Sequence, residues 1–444
     1  MLSLPKKMLA LLLVSIAAGT LLLVSVYALP VDAIRENVKA SINALLKEGV
    51  RNSWAAFTYT RPSRHMSDNL SFKSLIKTAR PYAIADGFTD GIMLNNAIYK
   101  GTNPLHDAMN IPNLSFGAGE DELGDPVLNL SKALDGSTHG KSVVRNYSRY
   151  WHGYLVYLKP LLMLMSVSCI RVLNLVLQFM MFALIIAKMT AATGAAYSLA
   201  FTLAVLVIDP ISTVLSLQYS DVYCLVLIMF IVMLSHNDKL RENGRYYLLF
   251  MFAGILTAYL DLLTYPSTVL GMSTVLYLLL NNDLTLGRKI TDMIKLGLSW
   301  GLGYGGMWSS KWVLSWLITG NNTVLDALLS MVDRTSGGVY GLTLSWSWLF
   351  GHLGRVFILL GFIAAVIMII VWLSVRKKRT SFGEVVPLLL ASLYPFVWYA
   401  TLKQHSFIHY FFTHKNLAVT VFALVCVFAK CAGCSSSKET LCTK

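Results

Sequence analysis

Three histidines and two lysines lie close together near the end of the chain, from Lys403 to Lys415. His405 and His409 are four residues apart, so they share one face if this stretch is a helix. Together with Lys403 and His414 they suit an anionic head group, above all a phosphate. An interfacial loop anchored by its Tyr and Phe side chains explains the composition equally well. No adjacent carboxylate completes a metal-ligand set, so we expect no metal at this segment.

Asp86 and Asp90 are the carboxylates whose spacing best suits general-base chemistry. They are four residues apart and precede a stretch, from Ile92 to Ile98, whose pattern predicts a helix. A carboxylate there can take a proton from a reacting hydroxyl, with or without a divalent cation as cofactor. Asp90 can equally be the residue that caps the start of this helix. Spacing alone does not choose between the two interpretations.

Four more ionisable residues lie within or beside apolar segments, where such groups usually face a cavity. Lys311 stands between Ser and Trp residues inside an apolar block, where it can either bind a phosphate or reach outward to water. Asp209, Asp221 and Asp261 are assigned to the lining of the same cavity. For Asp261 a structural pair with an Arg or a His is an equally good explanation.

The composition defines the setting in which these residues act. Of the 444 residues, 55% are hydrophobic and 14% are charged, and the mean hydropathy is +0.59. A soluble domain carries roughly 25% charged residues, so the composition excludes a soluble enzyme and a disordered chain. The net charge of +14 lies largely in short loops between apolar blocks, which indicates membrane topology rather than binding to nucleic acid. No cysteine lies in the long polar region, so no disulfide framework is expected.

The pattern of apolar blocks predicts an all-α polytopic membrane protein with about ten transmembrane helices. Residues 1–30 are expected to be the first one, uncleaved, because their apolar run is longer than the core of a signal peptide. The alternative is a signal peptide, since Val26-Tyr27-Ala28 resembles a cleavage site. Residues 31–168 form a large loop with juxtamembrane helices, 169–430 a bundle of about nine helices, and 431–444 a tail. The later spans are expected near residues 169–187, 191–208, 222–235, 246–263, 268–280, 296–318, 355–374, 385–402 and 416–429.

Three local predictions concern the large loop. It opens with an amphipathic helix whose apolar face carries Ile34, Val38 and Ile42. Residues 107–138 are rich in Gly, Asn, Asp and Ser, which predicts an irregular loop. Residues 155–168 are expected to form a juxtamembrane helix that is broken at Pro160.

Lys and Arg residues are concentrated in alternate loops, which orients the helices. The pattern places both termini in the cytoplasm and residues 31–168 outside. The last outer loop, with Lys403 and Lys415, is the one short exception. The candidate site residues named above then all lie at the outer side of the membrane.

This arrangement resembles the integral-membrane C-type glycosyltransferases. The likeness rests on a first helix followed by a large outer loop, on a basic and aromatic outer loop before the last helix, and on a short motif. That motif is an acid before a helix that ends near Gly and Pro, here Asp90, Ala97, Gly101 and Pro104. Members often carry adjacent Asp and Glu close after the first helix, whereas Asp86 and Asp90 are four apart and further downstream.

The resemblance implies an inverting transfer from a polyprenyl-phosphate-linked sugar. An aspartate would deprotonate the hydroxyl of a glycan, lipid or protein acceptor, and cationic side chains would stabilise the leaving phosphate. Three alternatives stay open on the sequence: a transporter or flippase of a lipid-linked anion, a polysaccharide polymerase or ligase, and an assembly subunit without chemistry. Membrane lipids are partners in every case, and nucleic acid in none.

Overall fold

The computed structural model describes residues 3–48, 86–116, 125–136, 142–336, 338–339, 342–343 and 381–433. This part of the chain is largely helical, with two small antiparallel strand pairs. Five of its helical stretches are long and apolar enough to cross a membrane: Leu4–Tyr27, Val167–Thr193, Leu217–Leu240, Gly383–Thr401 and Tyr410–Cys431. The chain is therefore a helical membrane protein, as its composition predicts.

The first half of the described chain comprises α1 (Leu4–Tyr27), α2 (Asp32–Glu48), α3 (Gly87–Ile98), α4 (Pro104–Asn110), β1 (Pro112–Phe116), α5 (Pro126–Asp135), β2 (Ser142–Asn146), α6 (Leu155–Leu164), α7 (Val167–Thr193), α8 (Ala195–Ile208) and α9 (Pro210–Leu215). The second half comprises α10 (Leu217–Leu240), α11 (Arg245–Leu260), α12 (Ser267–Leu280), α13 (Leu286–Thr319), α14 (Thr323–Thr335), β3 (Gly338–Val339), β4 (Leu342–Thr343), α15 (Phe382–Ala391), α16 (Tyr394–Thr401), α17 (Lys403–Ile408), α18 (Tyr410–Thr413), a 3₁₀ turn (His414–Leu417) and α19 (Ala418–Cys431).

The amphipathic helix at the start of the large loop is confirmed as α2. Its apolar face, with Ile34, Val38 and Ile42, is buried against α5 and α6 rather than exposed. The packing partner of this face is thus the rest of the loop region itself.

The prediction of an irregular loop over 107–138 is wrong for the described residues, because β1, α5 and the end of α4 lie there. The strand is held by tertiary contacts that composition does not reveal: Asn95 and Asn96 donate side-chain hydrogen bonds of 2.9 Å to the backbone of β1. Helix α5 begins at Pro126, a favoured first position, after the capping residue Asp125.

The expected break at Pro160 does not occur. Pro160 lies inside α6, and the helix ends four residues later at Leu164. A proline removes one backbone donor, here the one that would bind the carbonyl of Val156, and the rest of the short helix is retained.

Nine of the ten predicted spans coincide with described helices, and the span predicted at 355–374 lies outside the described residues. Helix α13 begins at Leu286, ten residues before its predicted span. The span predicted at 385–402 is divided into α15 and α16 by a turn at Ser392 and Leu393.

Two buried cores hold the helices together. One lies among α8, α10, α12 and α19, and the other joins α1 and the loop helices to α11 and α13. Helices α11 and α13 cross at two glycines. A Cβ added to Gly254 would lie 2.1 Å from the carbonyl oxygen of Trp300, and one added to Gly303 would lie 2.1 Å from that of Met251. Only glycine permits this distance between the two backbones.

Candidate functional site

Asp86 is the capping residue of α3. Its carboxylate accepts a hydrogen bond from the backbone N–H of Thr89 at 3.1 Å and another from the Thr89 hydroxyl at 2.7 Å. The helix therefore begins at Gly87, and Asp90 lies within its first turn. The capping role that the sequence allows for Asp90 thus belongs to Asp86, which leaves Asp90 available for another role.

Asp90 instead connects α3 to the start of α10. Its side chain is buried, and its Oδ1 accepts hydrogen bonds from the Ser216 hydroxyl at 3.1 Å and the Leu217 N–H at 3.0 Å. The Nη2 of Arg171, on α7, lies 3.9 Å from Oδ2. Burial raises the pKa of Asp90 to about 7, although Arg171 acts in the opposite direction. A carboxyl group with this pKa is suited to exchange a proton near neutral pH.

Of the three cavity aspartates predicted from sequence, Asp221 lies near Asp90, and Asp261 lies near Asp221. Asp221 follows one turn further along α10, where the Tyr157 hydroxyl donates to its Oδ1. Among the described residues nothing donates to its Oδ2. Asp221 is within electrostatic range of both Asp90 and Asp261. Asp261, directly after α11, accepts hydrogen bonds from the backbone and hydroxyl of Thr264 and so shapes its own turn.

A row of aromatic rings connects these acids to the histidine-rich segment from Lys403 to Lys415. Tyr219 is within electrostatic range of Asp86, and the centroid of its ring lies 6.0 Å from that of Phe412. Phe412 in turn stacks on His409, with centroids 5.0 Å apart. The carboxylates and the histidines therefore border the same aromatic row, which we call the aromatic bridge (Tyr219, Phe412 and His409).

His405 and His409 come together as their spacing predicts, with ring centroids 4.7 Å apart. The Nε2 of His405 lies 2.7 Å from the carbonyl oxygen of Leu263, two residues beyond Asp261. The Nδ1 of His409 is buried and has no hydrogen-bond partner in the described chain. Burial lowers the pKa of both imidazoles, that of His409 to about 3, so both rings are uncharged at neutral pH.

Arg334, on α14, supplies the permanent positive charge at this group, and the sequence analysis does not identify it. Its guanidinium lies 5.6 Å from the centre of the Tyr150 ring, hydrogen-bonds the Tyr150 hydroxyl and is within electrostatic range of both histidines. Tyr304 is within range of both Arg334 and Asp261. One feature of the sequence could have identified it: Arg334 is the only Lys or Arg between residues 319 and 352.

The structure does not bring Lys311 to this group. Its ammonium donates to the carbonyl oxygens of Ala108 at 2.7 Å and Met109 at 3.0 Å, and the side chain is fully buried. Lys311 thus ties α13 to α4. Lys403 is exposed on α17.

Asp209 and His414 belong to a neighbouring group on α9 and the 3₁₀ turn. Asp209 accepts a hydrogen bond from the Ser212 N–H at 3.4 Å and caps α9. His414 is buried, with its Nδ1 3.4 Å from the Tyr410 carbonyl oxygen. Between them, the Lys415 ammonium donates to the Ser212 hydroxyl at 2.6 Å and lies 4.8 Å from the centre of the Tyr219 ring. This group therefore contacts the aromatic bridge through Lys415 and Tyr219.

In the part of the chain that the structure describes, no group of three or more His, Cys, Asp or Glu side chains could hold a metal ion. The site consists of buried carboxylates on α3 and α10, of Arg334 with two neutral histidines, and of the aromatic bridge between them. Comparisons of the chain with protein-family models, curated proteins and solved structures find no match.

Proposed function

We propose that the chain is a membrane-embedded glycosyltransferase that moves a sugar from a polyprenyl-phosphate-type donor to an acceptor hydroxyl. The acceptor is a glycan, a lipid or a protein, and the anomeric configuration is inverted. The observation that carries this proposal is the position of the carboxylates of α3 and α10 at the same end of the bundle as Arg334, His405 and His409. An acid and a cationic group on two sides of one aromatic row match the two ends of a phosphate-linked sugar.

The proposal includes about ten spans, with both termini in the cytoplasm and the site at the outer face. The direction of α10 supports this orientation. Asp90 binds its first residue, Leu217, while Lys239 lies in its last turn, 22 residues and about 33 Å further along the helix. Arg241 and Arg245 follow directly. The loop with Lys239, Arg241 and Arg245 and the carboxylates are thus at opposite ends of α10. The positive-inside rule requires this arrangement if the site faces outward.

Each group has a defined part in the transfer step. The Asp90 carboxylate takes the proton of the acceptor hydroxyl, and the acceptor oxygen forms a bond to the anomeric carbon of the sugar. The bond between that carbon and the phosphate oxygen breaks, and its electron pair leaves with the polyprenyl phosphate. Asp221 lies one turn beyond Leu217 on α10, and no described residue donates to its Oδ2, so this oxygen is placed to accept a hydrogen bond from a sugar or acceptor hydroxyl.

The cationic side must bind the phosphate and then release it. Arg334 carries a fixed charge and can donate two parallel hydrogen bonds to a phosphate. His405 and His409 are neutral in the free site and take up protons more readily once a phosphate lies beside them. Their charge therefore follows that of the leaving group, and the protonated rings stabilise the phosphate as the sugar–phosphate bond breaks.

The test is turnover by the purified protein in vesicles that contain a radiolabelled polyprenyl-phosphate sugar and candidate acceptors. We expect label to pass to an acceptor with release of unglycosylated polyprenyl phosphate. A transporter would move the labelled lipid between leaflets without breaking the sugar–phosphate bond. Flipping without any chemical change would therefore overturn the transferase and support the transporter.

A further inference from the structure

Helix α14 carries its apolar residues on the side that faces away from the rest of the described protein. Thr323 and Ala327, on one face, are buried. The opposite face is an exposed stripe with the spacing of one helical face, formed by Leu325 (52% exposed), Leu328 (49%), Leu329 (58%) and Val332 (66%). A surface helix of a water-soluble protein would have the reverse arrangement, with these four side chains packed against the protein.

Polar contacts hold the other face of α14 against the site. Arg149 donates hydrogen bonds to Asp326 at 3.0 Å and to Ser330 at 2.6 Å. Arg334 lies on the same face and reaches Tyr150. The orientation of the helix is thus fixed by several hydrogen bonds, and the exposed stripe follows from that orientation.

The exposed stripe continues onto the preceding helix. At the adjoining end of α13, Trp316 and Leu317 are 46% and 71% exposed. Helix α14 has thirteen residues and polar residues at both ends, Asn322 and Thr335. At about 20 Å it is too short to cross the hydrocarbon layer, which is about 30 Å thick. A short helix with one apolar face and polar ends lies in the plane of the interface.

We propose that α14 is an interfacial helix whose exposed stripe rests on the hydrocarbon tails of the lipid leaflet beside the candidate site. The membrane is the occupant because the stripe is continuous with the exposed apolar surface of α13. This assignment requires only that the chain is a membrane protein. Its consequence, that α14 holds Arg334 at the depth of a lipid phosphate group, rests on the proposed function.

The test uses the photoreactive amino acid p-benzoylphenylalanine in place of Leu328, with the full-length protein in vesicles of phosphatidylcholine and phosphatidylglycerol. After irradiation, mass spectrometry identifies what has been captured. We expect adducts with the mass of one phospholipid, at a yield close to that of the same probe at Leu317. A probe at Asp333, on the polar flank of α14, serves as the matched control and should give several-fold less lipid adduct.

Two results would overturn the assignment. One is a cross-link from position 328 to another segment of the same chain, and the other is a covalent dimer. If the Leu328 variant does not fold, the probe at Leu329 gives the same discrimination, since it lies on the same stripe. The readout needs no turnover. A lipid adduct without sugar transfer would leave α14 in the interface and count against the transferase alone.

Discussion

Two aspartates one helical turn apart have different roles in this structure, and the same substitution separates them. Asn caps helices as well as Asp does, so Asp86→Asn should keep protein level and most of the activity. Asn takes no proton, so Asp90→Asn should keep the contacts to Ser216 and Leu217 in part but lower turnover by roughly a hundredfold or more. Initial rates of the two purified variants, at equal amounts of folded protein, measure the difference.

The pH profile gives a second readout of the same residue. A base acts in its deprotonated form, and the pKa of Asp90 is about 7. Turnover of the wild-type protein should therefore rise with pH through this value, and the residual turnover of Asp90→Asn should lack the rise. Equal rates in both variants would exclude Asp90 as the base and direct attention to Asp221.

Arg334 should act on donor binding. Hydrogen bonds to charged groups contribute about 1.5–3 kcal/mol, so Arg334→Gln should raise the KM for the lipid donor by roughly ten- to a hundredfold. The control is Arg241→Gln, which removes an exposed ion pair with Asp283 at the other end of α10. Donor titrations should show no such rise in the control. An unchanged KM in Arg334→Gln would mean that this arginine only fixes α14.

The buried charge of Lys159 should make the folded protein less stable than it would be with an apolar side chain at this position. Its ammonium is buried, has no hydrogen-bond partner among the described residues and lies 4.8 Å from the centre of the Tyr27 ring. Burial lowers the pKa of Lys159 to about 8, although Asp107 acts in the opposite direction. Because the folded state holds this proton less tightly than the unfolded state, stability should rise as the pH increases from about 8 to about 10.5.

Lys159→Met keeps the shape of the side chain and removes the buried charge. The variant should unfold at a temperature a few degrees higher at pH 7.5, and it should lose the rise in stability between pH 8 and pH 10. Thermal unfolding in detergent at several pH values checks both effects. A lower unfolding temperature at pH 7.5 would show that the ammonium has a stabilising partner.

At the scale of elements, the crossing of α11 and α13 depends on two glycines. Gly254→Ala or Gly303→Ala would place a methyl group against the facing backbone, where it cannot be accommodated without moving a helix. Such overpacking costs roughly 1–3 kcal/mol. Gly301 and Gly305, on the same helix α13, have no atoms within 4 Å of an added Cβ. Their Ala variants should be neutral or slightly stabilising, because alanine favours helix.

Thermal unfolding of the four glycine variants measures this contrast. A loss of stability shared by all four would point to helix flexibility rather than to the contact between α11 and α13.

The helices could be predicted from the sequence because their signal is local: an apolar block of spanning length, or a face such as that of Ile34, Val38 and Ile42. The strand β1 could not be predicted from the sequence, because it depends on hydrogen bonds from Asn95 and Asn96, which approach it only in the folded chain. The pairing of His405 with His409 follows from helical spacing. Arg334 lies beside them because of the orientation of α14. Hydrogen bonds from Arg149 to α14 determine that orientation.

At the scale of the whole molecule, two native cysteines report the proposed orientation. Cys169, near the start of α7, and Cys431, at the end of α19, are both exposed. In intact cells a membrane-impermeant maleimide should modify the protein at Cys169, and Cys169→Ser should abolish this labelling. Cys431 should react only after the membrane is permeabilised. Peptide mapping of the labelled protein distinguishes the positions, and labelling of Cys431 from outside would reverse the orientation.

The hydrogen bonds of Lys311 have a mechanical consequence. They join α13 to the carbonyl oxygens of Ala108 and Met109, which lie in α4, and β1 begins three residues after Met109. The backbone of Leu114 in β1 is bonded in both directions to the side chain of Asn95, on the helix that carries Asp90. A buried polar group that loses its partner costs about 1–3 kcal/mol, so these pieces resist separation. The part of α13 around Lys311, β1 and α3 therefore move as one unit, and a tilt of α13 would be transmitted to the carboxylate of Asp90.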